Sequence, residues 1–220
     1  MGLGQAAPGP ISKASMNWGI SKRGLQVAAG NVLLALMYAT FAYAHLQSFA
    51  KTPRLSLLLA FLVETLTLIF GLVRKDSNGT WHSSKTWVTT LGGTFAPLLF
   101  WPTAAPVDLF AGQLIQLAGF TLQVGALLSL NRSFGLLPAH RDVKSGGLYR
   151  WIRHPLYSAY TLANIGYMVN NLSLYNVAIF VVATGFQVLR VINEETFLSR
   201  YGEYSAYAKR TRWRLIPLIW

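Results

Sequence analysis

The chain has no cysteine among its 220 residues and only seven acidic residues. Without a thiol there is no disulfide framework, no thiolate metal site and no cysteine nucleophile. Charge of either sign is scarce, at 12% of residues, while 53% are hydrophobic. A soluble domain of ordinary composition carries roughly twice that charge. The deficit points to lipid as the main solvent. No apolar stretch followed by a cleavage site occurs in the first 24 residues, so no cleavable leader is expected. Gly2-Leu3-Gly4-Gln5-Ala6-Ala7 matches a dinucleotide fingerprint by spelling alone, because no strand precedes it.

The formal net charge is +12, which raises the question of nucleic acid. The basic residues do not coat hydrophilic helices, however. They sit in short clusters between long apolar runs, the pattern of loops facing anionic headgroups. Hydropathy predicts spans over 25–48, 55–73, 86–101, 109–130, 155–169 and 173–190, the last two forming a hairpin turned at Asn170-Asn171. With six spans, only Lys51 and Arg54 of the 19 basic residues fall opposite the rest. The positive-inside rule then puts both termini in the cytoplasm. The expected fold is an all-α, multi-pass transmembrane bundle of five to six spans. It divides into a polar tail (1–24), N-terminal membrane helices (25–130) and a C-terminal core (131–220). From Glu194 to Arg214 the chain turns charged and aromatic, which predicts a cytoplasmic or interfacial helix.

With so few acids, each can be weighed. Glu194-Glu195 follows a span directly and stands four residues after Arg190. Adjacent carboxylates at a lipid boundary are costly unless a cation meets them. Pairing of Arg190 with Glu194 along one helix face is the plain alternative. Glu64 falls at the middle of the second span and is a candidate substrate-binding group, or a structural one, either protonated and bonded across a helix interface or paired with Arg190. His154 precedes Pro155, which is favoured in a helix's first turn. The free backbone donors of such a start suit a carboxylate. His45, His82 and His140 have no partners at metal-ligand spacing, so no metal is expected. No serine stands in a nucleophile-elbow pattern.

From Asn131 to about Pro217 the chain resembles the isoprenylcysteine carboxyl methyltransferase family, whose wider relatives include membrane phospholipid N-methyltransferases. The carriers are Gly147-Leu148-Tyr149, Arg153-His154-Pro155-Leu156-Tyr157, Arg190-x-x-x-Glu194-Glu195 and Tyr204-x-x-Tyr207-x-x-Arg210, in that order around a helical hairpin. The run from the acidic pair to Tyr201-Gly202 is one residue shorter than is usual in the family. The resemblance implies a cytoplasmic S-adenosylmethionine pocket closed by the C-terminal helix. Its cofactor-binding residues are Arg141, Asp142, Val143, Lys144, Tyr149, His154, Pro155, Leu156, Tyr157 and Glu194. Glu194 takes the ammonium, and Arg190 meets the acceptor beside the transferred methyl.

The implied acceptor is a lipophilic or prenylated molecule entering from the bilayer, methylated on a carboxylate or a phenol. A phospholipid amine or a thiol is the alternative within the class. A carboxylate needs no general base, whereas a phenol, thiol or ammonium must first lose its proton. The C-terminal pattern also looks like that of NADPH-dependent membrane sterol reductases, whose chains are longer. A non-catalytic membrane scaffold is the third possibility.

Overall fold

The computed structural model describes residues 22–53, 55–73, 83–101, 108–135 and 143–220. Among them the chain is helical: α1 (Lys22–Lys51), α2 (Leu55–Leu72), α3 (Ser84–Phe95), α4 (Phe110–Leu130), α5 (Pro155–Asn170), α6 (Leu174–Leu198) and α7 (Gly202–Arg210), with short 3-10 turns after α3, after α4 and before α5. The polar tail through Ser21, with its glycine-rich start, and His82, His140, Arg141 and Asp142 lie outside the described residues.

Each of the six apolar runs is met by a helix, but not all as expected. Among the described residues, only α4 and α6 are long and apolar enough to cross a membrane. The run over 86–101 becomes the 12-residue α3 and a 3-10 turn, because Pro97 interrupts the helix. The sixth run extends well past Arg190. Helix α6 continues through Glu194 and Glu195 to Leu198, and α7 starts only at Gly202. The single helix expected over 194–214 is therefore the end of α6, a break, and a short α7. The charged residues do not stop α6 because Arg190 and Glu195 turn inward and are buried.

Helices α4 and α5 pack along small residues. A Cβ added at Gly119 would fall on the backbone of Ala163, and one at Gly166 on that of Gln116. Such small-residue contacts let two helix backbones approach closely, a device common in lipid. The α5–α6 hairpin is pinned by the buried Asn176. Its side chain spans from Asn171 O (2.6 Å) to both backbone groups of Trp101, at 2.9 and 2.8 Å. Ser173 caps α6 by accepting from Asn176 N at 3.1 Å.

Polarity in α6 runs inside out. Asn176, Gln187, Arg190, Asn193 and Glu195 are buried, while Val181, Val182, Leu189 and Ile192 are exposed. Helix α4 likewise buries Gln123 and exposes Phe110, Leu114 and Leu128. Water would penalise those exposed faces, whereas hydrocarbon would not. The buried polar groups meet one another instead, as Asn193 does by donating to Thr89 Oγ1 at 3.0 Å.

Candidate functional site

A cavity of about 300 Å³ opens between α1–α3 and the C-terminal half. That is at the lower end of the size range of small-molecule sites. On α6 it is lined by Gln187, Arg190, Glu194 and Leu198, whose spacing of three, four and four residues makes one helical stripe. Helix α5 contributes Leu156, Tyr157, Tyr160 and Asn164, and α7 contributes Tyr204 and Tyr207. Val143, Lys144, Tyr149, Arg153 and His154 close the same end, whereas Glu64 and Thr67 enter from α2.

The two adjacent glutamates have different environments. Glu195 is buried and surrounded by donors: Arg153 Nη1 at 2.8 Å, Arg214 Nε at 2.6 Å, His154 Nε2 at 3.2 Å and the Tyr204 hydroxyl at 3.4 Å. Its oxygens are spent on holding α6, α7, the start of α5 and the C-terminal segment together. Glu194 faces the cavity with 27% of its side chain exposed. Among the described residues it accepts a hydrogen bond from the Tyr157 hydroxyl at 2.9 Å, with His154 Nδ1 4.0 Å from the same oxygen. The first acid of the pair is thus the one with capacity for a ligand.

Tyr157 organises its neighbours. The Arg190 guanidinium lies 4.8 Å from its ring centre, and the His154 ring stacks on it at 5.7 Å. Arg190 is buried, with a cation–π contact to Tyr157. Gly93 on α3 makes room for it: a Cβ there would come within 2.8 Å of Arg190 Cδ.

The start of α5 is less open than its sequence suggests. Residues 213–215 run across it as a strap. Arg153 N donates to Trp213 O (2.8 Å), His154 N to Arg214 O (2.9 Å) and Ser158 Oγ to Leu215 O (2.6 Å). Tyr157 N and Ser158 N both turn back to His154 O. Pro155 has no N–H, so among the described residues Leu156 N–H is the donor of this first turn with no backbone acceptor. The His154 side chain is bonded to Glu195 and makes no capping bond.

The tyrosines at this end are kept as neutral phenols. Burial raises the Tyr207 hydroxyl to about 12, and burial with the nearby Glu194 charge holds Tyr149 well above the usual phenol range. Burial first, then the charge of Glu195, raises Tyr204 as well. Tyr207 donates to Tyr149 O at 2.7 Å, which ties α7 to the turn before α5.

The structure therefore gathers Val143, Lys144, Tyr149, His154, Leu156, Tyr157, Arg190, Glu194 and Glu64 on one cavity. Pro155 is buried behind that wall. Sequence reasoning missed the Glu195–Arg214 pair and the partner of Glu64. His45 on α1 meets Glu64 Oε2 at 2.9 Å. No group of three or more potential metal ligands occurs among the described residues.

Residues 113–200, from α4 through the end of α6, match the model of the Isoprenylcysteine carboxyl methyltransferase (ICMT) family. No curated protein sequence matches the chain.

Proposed function

We propose, from the family pattern carried by residues 113–200, that this chain is an integral membrane S-adenosylmethionine-dependent methyltransferase acting on a lipophilic acceptor, at a carboxylate or a phenol. The observation that carries the reading is the division of labour between Glu194 and Glu195. One carboxylate is consumed by structure, and its neighbour faces a cavity beside aromatic rings and a buried arginine.

When bound, S-adenosylmethionine supplies an electrophilic methyl group on a sulfonium. The residues present fit its charged ends. Glu194 suits the ammonium, and Leu156 N–H at the start of α5 suits the carboxylate. The faces of Tyr149, Tyr157 and Tyr204 suit the adenine and the sulfonium. Val143 and Lys144 line the same end, and Arg141 and Asp142 directly precede them in sequence. Arg190 orients the acceptor's oxygen toward the methyl. Direct displacement needs alignment and exclusion of water more than acid–base chemistry when the acceptor is a carboxylate.

The inside-out helices support a bundle embedded in lipid, with residues 131–220 as the cofactor core. The basic clusters favour a cytoplasmic position for both termini and for the pocket. Glu194→Ala tests the assignment: the variant should insert and fold but lose S-adenosylmethionine binding. Normal cofactor affinity in a folded Glu194→Ala protein would overturn it.

A further inference from the structure

Beyond the cofactor end, the cavity holds a second ionisable group that carboxylate methylation does not require. Glu64 projects into it from the middle of α2, backed by His45 of α1. His45 Nδ1 faces two oxygens, Phe41 O at 3.0 Å and Glu64 Oε2 at 2.9 Å. A carbonyl oxygen only accepts, so Nδ1 carries the proton and Nε2 is the ring's basic nitrogen. Glu64 is thus an acceptor in this pair. Among the described residues His45 is its hydrogen-bond partner, and the pair leaves Oε1 for a ligand.

A carboxylate set into a membrane helix persists only where it is paired or used. The side chains of His45 and Glu64 are 33% and 19% exposed, so the pair is shielded but reachable. His45 does not line the cavity and stands behind Glu64. Arg190 faces the same space, and Tyr38 lies in the fields of both Arg190 and Glu64. The cavity that Glu64 enters is also lined by Tyr38, Phe41 and Tyr160, flat surfaces for an aromatic head group.

We propose that His45 and Glu64 form a base that lets this site methylate a phenol on a lipophilic molecule, an acceptor that must lose a proton. The inference rests on the methyltransferase reading above and adds the acceptor class. The phenol donates its O–H to Glu64. As its oxygen forms the bond to the methyl carbon, the carbon–sulfur bond breaks and its electron pair stays on sulfur. The proton passes to Glu64, which becomes neutral as the sulfonium charge is lost, while His45 Nδ1–H keeps its hydrogen bond to Oε2 and orients the carboxyl. Arg190 faces the developing phenolate. A like-charged carboxylate acceptor gains nothing from Glu64.

The test uses the full-length protein in detergent at about pH 9 with two probes, a long-chain 4-alkylphenol, which stays mostly protonated there, and its 2-nitro derivative, which is largely ionised. Wild type should methylate both. Glu64→Gln should lose the ordinary phenol by about 100-fold, the size of a general-base contribution, and lose the preionised phenol by far less. His45→Gln should follow the same pattern more weakly. Without any methyl donor, absorbance should show bound nitrophenol more protonated on wild type than on Glu64→Gln, by about one unit of apparent pKa.

Equal loss of both phenols in Glu64→Gln, or identical nitrophenol spectra on the two proteins, would overturn the base role. Methylation of a lipophilic carboxylic acid but of neither phenol would overturn the acceptor class and leave the methyltransferase intact. Failure to bind S-adenosylmethionine at all would remove the reading beneath both.

Discussion

The Tyr157 hydroxyl donates to Glu194 Oε2 at 2.9 Å, while the Arg190 guanidinium lies 4.8 Å from the centre of the same ring. One tyrosine therefore couples the two charged groups assigned to cofactor and acceptor. Tyr157→Phe removes the hydroxyl and keeps the ring. A hydrogen bond to a charged group contributes roughly 1.5–3 kcal/mol. Cofactor affinity should fall about tenfold or more by titration calorimetry, with little change in thermal stability. Unaltered affinity would mean that Glu194 needs no help from Tyr157.

Glu195 should behave unlike its neighbour. Its removal strands Arg153, His154 and Arg214 around a buried space. Breaking a buried pair from one side costs on the order of 3 kcal/mol. Glu195→Ala should lower the unfolding midpoint in detergent clearly, whereas Glu194→Ala should scarcely move it. The opposite ranking would exchange the roles of the two acids.

Arg190→Ala separates binding from turnover. The guanidinium lies 4.8 Å from the Tyr157 ring centre and is assigned to the acceptor rather than the cofactor, so cofactor affinity should hold within a few-fold. Turnover should drop by about 100-fold, the scale of losing an electrostatic or orienting group. Unchanged turnover with a methylated acceptor would take Arg190 out of the site.

The α4–α5 contact gives a prediction for the fold alone. Gly119→Leu drives a side chain into the Ala163 backbone. Overpacking of this kind costs roughly 1–3 kcal/mol or more. The variant should be protease-sensitive or poorly folded in detergent, while Gly185→Ala, with open space at that position, should be neutral.

Helix positions were legible in the sequence because apolar runs and helices coincide, as over 55–73 and 109–130. Their ends were less so. Charge marks the end of the sixth apolar run in the sequence, yet α6 carries Arg190 and Glu195 inward and continues. Arg190, Glu194 and the segment from Tyr149 to Tyr157, which line one cavity, were legible as local motifs. The Arg214–Glu195 and His45–Glu64 pairs were not, since each joins residues 19 apart with a chain turn between. Linear spacing holds no trace of such contacts. The strap over α5 was hidden for the same reason, and it closes backbone donors that the Pro155 signature alone leaves open.

The most direct measurement is calorimetric titration of the purified full-length protein in detergent with S-adenosylmethionine, its demethylated product and NADPH. A methyltransferase pocket binds the first two, with binding abolished by Glu194→Ala, and does not bind the third. Binding of NADPH alone would contradict that reading and make the cavity a hydride-transfer site.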